Sequence, residues 1–284
     1  MEGNCIEIKN LTKKYKKFTL DNVSIDVPYG TVMGFVGENG AGKTTTIKAI
    51  LGLLAADGGS VQVMGEEAYN MSGATKEKIG VVFDVPPFPP ALNAKQMNKI
   101  FRGMYKNWDG EKFFKLLEKF EIPTDKRLKG FSRGMGMRFS IAQALSHGAE
   151  LLVLDEPTGG LDPIIRSETM DILRDFMAED EKNTIFFSTH ITSDLDRLAD
   201  YICFVHKGKV VFTEERDTLM EKYRILKCTD EQLSLIDKED IIGMRKGRFA
   251  SEVLTNAADK YPDIAADIPN IDEIMVYFIS KDGE

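Results

Sequence analysis

Short apolar runs alternate along the chain with segments in which apolar residues recur every three or four positions, the two periods that mark strands and helices. Runs at 6–8, 23–27, 32–36, 61–63, 79–83, 151–154, 184–188, 201–205 and 209–213 predict strands; 44–54, 94–105, 111–120, 132–145, 164–177 and 193–198 predict helices. This alternation places the chain in the α/β class. Leu151-Leu152-Val153-Leu154 is apolar at consecutive positions, so both of its faces should be covered, as in a central parallel strand. Nearer the N-terminus, Ile6 and Ile8, then Val23, Ile25 and Val27, alternate with polar residues, the pattern of a half-exposed antiparallel sheet. A mixed architecture is expected.

Two segments interrupt the rhythm. Val85-Pro86-Pro87-Phe88-Pro89-Pro90 cannot be a helix interior or a central strand, because each proline fixes φ and removes a donor; it reads as an extended connector. The second break lies near Tyr223, after a helix predicted at 217–222. Beyond it the pattern restarts with a strand at 224–227, a helix at 230–236, a strand at 241–245 and later helices. The expected organisation is a main domain over 1–222 and a small α+β appendage over 223–284, which is marginal on its own at that size.

Composition narrows the function classes. Among 284 residues, 37 basic side chains face 45 acidic ones, a formal charge of −8. That balance argues against non-specific nucleic-acid binding, which needs a basic surface to displace phosphate counterions. No apolar run approaches the ~20 residues that span a bilayer, and residues 1–17 are polar and lysine-rich with no apolar stretch behind them, so no secretory signal is visible. Cys5, Cys203 and Cys228 are odd in number, far apart and in no ligand-like spacing, which predicts a reduced, intracellular protein. Disulfide scaffold, metal finger and integral membrane protein are all poor readings.

The strongest local signal is the apolar run 32–36 followed by Gly37-Glu38-Asn39-Gly40-Ala41-Gly42-Lys43-Thr44. It matches the P-loop pattern G-x-x-x-x-G-K-T with the required strand before and helix after. Such glycines let backbone N–H groups turn inward around a phosphate, while the following helix aims its positive end there. Lys43 would reach the β/γ oxygens and Thr44 would offer a hydroxyl to Mg²⁺. The second half of the chemistry is Asp155-Glu156 at the end of the buried strand, where ligands collect in open α/β sheets. Asp155 is suited to hold Mg²⁺ through water, and Glu156 to orient or deprotonate the attacking water. Two adjacent carboxylates could also be solvated surface; the upstream loop decides between these readings. The motif alone separates neither ATP from GTP nor hydrolase from kinase.

With these motifs in place, the chain resembles the ATP-binding subunit of an ABC transporter over about residues 4–222, in the family's order throughout. Phe131-Ser132-Arg133-Gly134-Met135 sits where the family signature belongs, opening a helix. Asp155 and Glu156 lead through Pro157-Thr158-Gly159-Gly160-Leu161-Asp162, the family's D-loop region. His190, after Thr189, occupies the switch position, and Tyr15 falls where an aromatic ring lies against adenine, with Phe18 as a nearby alternative. Each is weak alone; the ordered set is specific. The resemblance implies a P-loop ATPase cassette with a mixed central sheet, an N-terminal antiparallel β-subdomain and a helical subdomain at about 85–147. It implies ATP and Mg²⁺ as ligands. Residues 37–43, Thr44, Thr45, Tyr15, Ser132, Gly134 and Asp162 would bind nucleotide; Glu156 and His190 would act in hydrolysis; Thr44, Asp84 and Asp155 would face the metal. Ser132 and its helix would serve in trans, against ATP held by a second chain, in a head-to-tail homodimer or a heterodimer with another ATPase subunit.

Departures from the pattern are informative. Arg133 replaces the signature's first glycine and Met135 its glutamine, and Asp84 stands where the family usually has Gln or Glu, one methylene shorter than Glu. Asp57-Gly58-Gly59, the variant signature and the short appendage resemble bacterial exporter subunits for drugs and antimicrobial peptides. The family's helical subdomain offers a groove to a separate integral membrane permease, which implies a cytoplasmic chain, peripheral on the inner face of the membrane, with no nucleic-acid partner. The competing readings are a soluble ABC ATPase acting on ribosome or DNA, for which the chain lacks a second cassette and the room for a coiled coil, and a P-loop kinase, which leaves Ser132, Asp162 and His190 without a role.

Overall fold

Residues 3–247 and 250–280 are described in the computed structural model, and the chain divides into two units, Met1–Val210 and Val211–Glu284. The first begins with β1 (Asn4–Lys14), β2 (Thr19–Pro28), β3 (Val32–Val36), α1 (Lys43–Ile50), β4 (Gly58–Val63), β5 (Glu66–Glu67), α2 (Gly73–Glu77) and β6 (Ile79–Val82). Then come α3 (Ala94–Met104), α4 (Gly110–Lys119), α5 (Arg133–Ala144), β7 (Leu151–Asp155), α6 (Pro163–Glu179), β8 (Thr184–Thr189), α7 (Thr192–Leu198), β9 (Tyr201–His206) and β10 (Lys209–Glu215), the last crossing into the second unit.

The two apolar patterns sort into two sheets. Alternating strands build an antiparallel sheet in the order β2-β1-β4-β5, whose buried face carries Ile6, Ile8, Val23, Ile25 and Val27. The continuous runs build the six-stranded sheet β10-β9-β3-β8-β7-β6, in which β9, β3, β8, β7 and β6 are parallel. Every residue of β3, β7 and β8 is buried, as expected for strands covered on both faces. Because β8 lies between β3 and β7, three loops leave side by side at the C-terminal ends of these strands.

Helices α3, α4 and α5 cluster their apolar faces around aromatic rings. Phe101 lies 4.9 Å from Trp108 and 6.0 Å from Phe113, and Phe88 of the proline connector lies 5.0 Å from Phe139. Each helix begins with a polar cap: Asn93 with Gln96 in a reciprocal capping box, Asp109, and Ser132. On α3, Met97 and Phe101 are buried while Ile100 and Met104 are exposed. The latter pair borders an apolar cavity of about 370 Å³ that Val81, Phe83 and Pro87-Phe88-Pro89 complete.

The second unit continues with α8 (Arg216–Lys222), β11 (Arg224–Cys228), α9 (Asp230–Leu233), β12 (Gly243–Lys246), β13 (Ser251–Thr255), β14 (Ala265–Asp267) and α10 (Ile271–Ser280). Its antiparallel sheet runs β12-β13-β11-β14. α10 packs closely on it: a Cβ on Gly243 would sit 2.1 Å from the Tyr277 carbonyl, and the Tyr277 hydroxyl donates to Glu252 at 2.8 Å.

Several boundaries differ from the sequence expectation. The helix expected over 44–54 stops at Ile50, because Gly52 turns into the left-handed region (φ +65) with its Cα against the Ala68 carbonyl, where any side chain would clash. The helix expected over 230–236 is a four-residue turn, and the later helices expected beyond 245 are instead two strands followed by one helix. The division between units falls at 210/211, ahead of the break expected at 222/223: Phe212 of β10 and Tyr223 both pack on Phe278 of α10, at 5.2 and 5.7 Å. Among the described residues no helix is long and apolar enough to cross a membrane. All three cysteines are buried, and burial pushes the Cys5 thiol up to about 12.

His147 follows α5 in the core, its ring stacked 4.3 Å from that of Tyr105 and its nitrogens each 3.3 Å from a carbonyl, of Gln143 and of Ile79. Burial pushes its pKa below the ordinary 6.5 despite those carbonyls. The unfolded chain therefore takes up this proton more readily than the folded one. The stabilisation is complete above the unfolded value and is lost as pH falls below it. Urea titrations at a series of pH values between about 7.5 and 5 should show parental stability falling more steeply than that of His147→Gln, by at most ~1.4 kcal/mol per pH unit; parallel curves would remove His147 as the cause.

Candidate functional site

The loop after β3 is shaped by its glycines. Gly42 adopts φ +113 immediately before Lys43, a conformation closed to side chains, and the space beside it is filled by Leu20 and Phe18. Gly37 lies against the Val205 carbonyl, where a Cβ would come within 2.4 Å. The Lys43 side chain is buried under the loop it follows, donating to the Gly37 carbonyl at 2.7 Å and the Glu38 carbonyl at 3.3 Å. Backbone N–H groups of the first turn of α1 are left for an anion, as at any helix N-terminus.

Two strands away, β7 ends in Asp155. One of its carboxylate oxygens accepts from the Thr44 hydroxyl at 2.9 Å, the other from the Ser188 hydroxyl at 2.6 Å. The next residue, Glu156, takes φ +52, and its N–H donates to Ser188 Oγ at 3.0 Å. That turn points the Glu156 carboxylate between Lys43 Nζ at 3.1 Å and His190 Nδ1 at 2.7 Å. Lys43, Glu156 and His190 thus form one connected chain of charges and donors.

Lys43 and Glu156, but not His190, open onto a cavity of about 440 Å³ lined by Tyr15, Phe18, Glu38, Asn39, Gly40, Gly42, Lys43, Thr44, Thr45, Asp84, Asp155 and Glu156. Tyr15 and Phe18 stack on one another across its rim at 6.3 Å, so both aromatic candidates stand at the same mouth. The Thr44 hydroxyl and Asp155 carboxylate supply the hard oxygen donors that Mg²⁺ prefers. Among the described residues no group of three or more His, Cys, Asp or Glu is arranged to hold a metal by itself. The donor set present fits a cation that takes one or two carboxylates and completes its shell with phosphate oxygens and water.

Ser132, Gly134 and Asp162 are not part of this cavity. Ser132 caps α5, accepting from the Met135 N–H at 3.2 Å; Asp162 caps α6, accepting from Ile164 and Ile165 N–H at 3.2 and 3.1 Å; Gly134 faces the Leu161 side chain. Sequence reasoning assigned no role to Ser188, which lies at the end of β8, the strand between those that lead to Thr44 and to Asp155. It also treated Arg133 only as a lost glycine, whereas its guanidinium donates to the Asp84 carboxylate. Neither contact has a local sequence signal, because each joins segments that meet only in the fold.

Comparison with known proteins agrees with this geometry. Residues 20–159 match the family model described as "ABC transporter". The chain is 36% identical over 233 residues to the bacitracin transport ATP-binding protein BcrA of Bacillus licheniformis, covering 81% of this chain and 75% of the relative. It is 39% identical over 215 residues to the lantibiotic transport ATP-binding protein SrtF of Streptococcus pyogenes, covering 75% and 91%. Among solved structures, an ATP-binding subunit of an ABC transporter superposes with TM-score 0.68 at 24% identity, covering 76% of this chain and 91% of that one. A dimeric ATP-binding cassette bound to ADP and Pi gives 0.66 at 24% identity, covering 74% and 98%. With two relatives above 30% identity, matched over 75% and 91% of their own length, the chain belongs to the ABC transporter family as one of its ATP-binding subunits.

Proposed function

We propose that this chain binds Mg²⁺–ATP in the cavity beside Lys43 and hydrolyses it between two subunits, energising a separate membrane permease that exports a peptide antibiotic or similar compound. The observation that carries the reading is the Lys43–Glu156–His190 chain, which couples phosphate binding to the candidate base. A triphosphate engaging Lys43 draws that cation away from Glu156 and leaves the carboxylate on His190, able to accept a proton from the attacking water. Thr44 and Asp155 would hold Mg²⁺, with Asp84 facing it from the opposite segment; the metal would neutralise charge on the phosphate oxygens. Tyr15, with Phe18 beneath it, offers the aromatic face for adenine.

Cargo class and direction rest on relatives named for bacitracin and lantibiotic transport. The cavity bordered by Ile100, Met104 and the proline connector is the surface we assign to the permease, since exposed apolar residues gathered at one groove suit a protein partner. Head-to-tail pairing, as homodimer or with a second ATPase subunit, gives Ser132, Gly134 and Asp162 a use that the single chain does not: the capped N-terminus of α5 supplies a positive helix end to a nucleotide on the partner.

Glu156→Gln should retain ATP binding while hydrolysis falls about 10²–10⁴-fold, and Lys43→Ala should weaken binding itself. Near-parental turnover in the Gln variant would remove Glu156 as the base. In sedimentation with ATP, Glu156→Gln should dimerise, and adding Ser132→Arg should abolish that dimer with little change in nucleotide binding. Equal dimerisation of the double variant would reduce Ser132 to a helix cap.

A further inference from the structure

Arg133 is the first residue of α5, at a helix end whose dipole disfavours a cation. It is compensated by two contacts. Its Nη2 donates to Oδ1 of Asp84. Its guanidinium also lies beside Gly159-Gly160: a Cβ on Gly159 would come 3.3 Å from Nη2, and one on Gly160 3.4 Å from Nη1. A side chain at Gly159 would press on the arginine, and Gly160 is held to glycine by its left-handed backbone, φ +72. One side chain therefore joins the segment after β6, the start of α5 and the loop after Glu156.

Asp84 has a second allegiance, because it lines the phosphate cavity together with Thr44 and Asp155. A guanidinium on a carboxylate lowers the negative potential that the same carboxylate offers a divalent cation. Both side chains are about half exposed, 55% for Arg133 and 42% for Asp84, so their pair is weak enough to be exchanged for a stronger partner. The contact with Gly159-Gly160 gives the guanidinium a place to remain once Asp84 leaves it.

We infer that Arg133 is a positioning residue that competes with the nucleotide's divalent cation for Asp84, so that this ion pair sets the metal requirement of the site. The inference rests on the reading of Asp84 as a metal-facing carboxylate. When Asp84 turns to the metal, the proline connector that follows it loses its ion pair to the start of α5 and keeps only packing contacts such as Phe88 on Phe139, while Arg133 stays on the loop after Glu156. The metal-bound nucleotide thereby alters how the segment bordering the apolar groove is tethered.

The test is a Mg²⁺ titration of fluorescent ATP-analogue binding to the full chain, in the Glu156→Gln background so that hydrolysis does not intervene. Arg133→Gln, which keeps a helix-compatible side chain, and Arg133→Gly should both lower the half-saturating Mg²⁺ concentration by about two- to fivefold, the scale of an exposed ion pair. Arg133→Lys, which keeps the charge without the planar fork, should fall between. Asp84→Asn should raise the half-saturating concentration, and adding Arg133→Gln to it should produce a smaller shift than in the parent, since the effect passes through Asp84. If Asp84→Asn leaves the titration unchanged, the metal-facing reading of Asp84 fails and this inference with it. If Asp84→Asn shifts the titration but the Arg133 variants leave it unchanged or raise it, the competition alone is overturned.

Discussion

Asp155 is the point on which the site depends. Its carboxylate is almost fully buried at the end of β7, and a buried carboxylate is tolerable only when its oxygens are satisfied. One oxygen is satisfied by Thr44 at the start of α1, the other by Ser188 at the end of β8. Those two bonds draw together the ends of three strands that are neighbours only through the order β3-β8-β7. The parallel register reinforces them: Phe35 and Asp155 are both paired with Ser188, which brings the P-loop strand and the carboxylate strand level on either side of it.

Glu156 inherits its position from that arrangement. A left-handed backbone at a non-glycine residue costs on the order of 1–2 kcal/mol, and here it is held by Ser188, whose hydroxyl and carbonyl both accept from the Glu156 N–H at 3.0 and 3.2 Å. An unstrained turn would carry the side chain away from Lys43 and His190. The strain is local, and it lies at the residue we propose as the base, as is common where geometry matters more than stability.

What was legible in the sequence was what is encoded locally. The P-loop is a contiguous strand, glycine run and helix start, so its three parts announce one another; the continuous apolar runs announce a sheet covered on both faces. The small second unit was read less well for the same reason in reverse. β14 is the exposed triplet Ala-Ala-Asp, held by pairing to β11 and carrying no apolar period at all. The end of α1 was missed because the Ala68 carbonyl, brought in from outside the helix, decides it. Arg133 on Asp84 and Ser188 on Asp155 are long-range contacts that no spacing rule anticipates, although each departure was visible by itself, a base at 133 where the signature has glycine and at 84 an acid one methylene shorter than Glu.

The loop after Glu156 is anchored by side chains at both ends. Its middle is held by two backbone turns, Gly159 N–H to the Glu156 carbonyl at 3.0 Å and Leu161 N–H to the Thr158 carbonyl at 3.1 Å. Thr158 donates to Asp194, a fully buried carboxylate that also takes Arg166 Nε at 2.7 Å, so the first residues after Glu156 are tied to α6 and α7. Asp162 closes the other end by capping α6. Between these anchors lie Gly159 and Gly160, and against them lies Arg133. A buried charge cluster resists displacement, because breaking it would leave Asp194 without compensation. A pair of glycines resists very little. Arg133 therefore touches the part of the loop that backbone turns alone hold, and that turn closes directly on the Glu156 carbonyl.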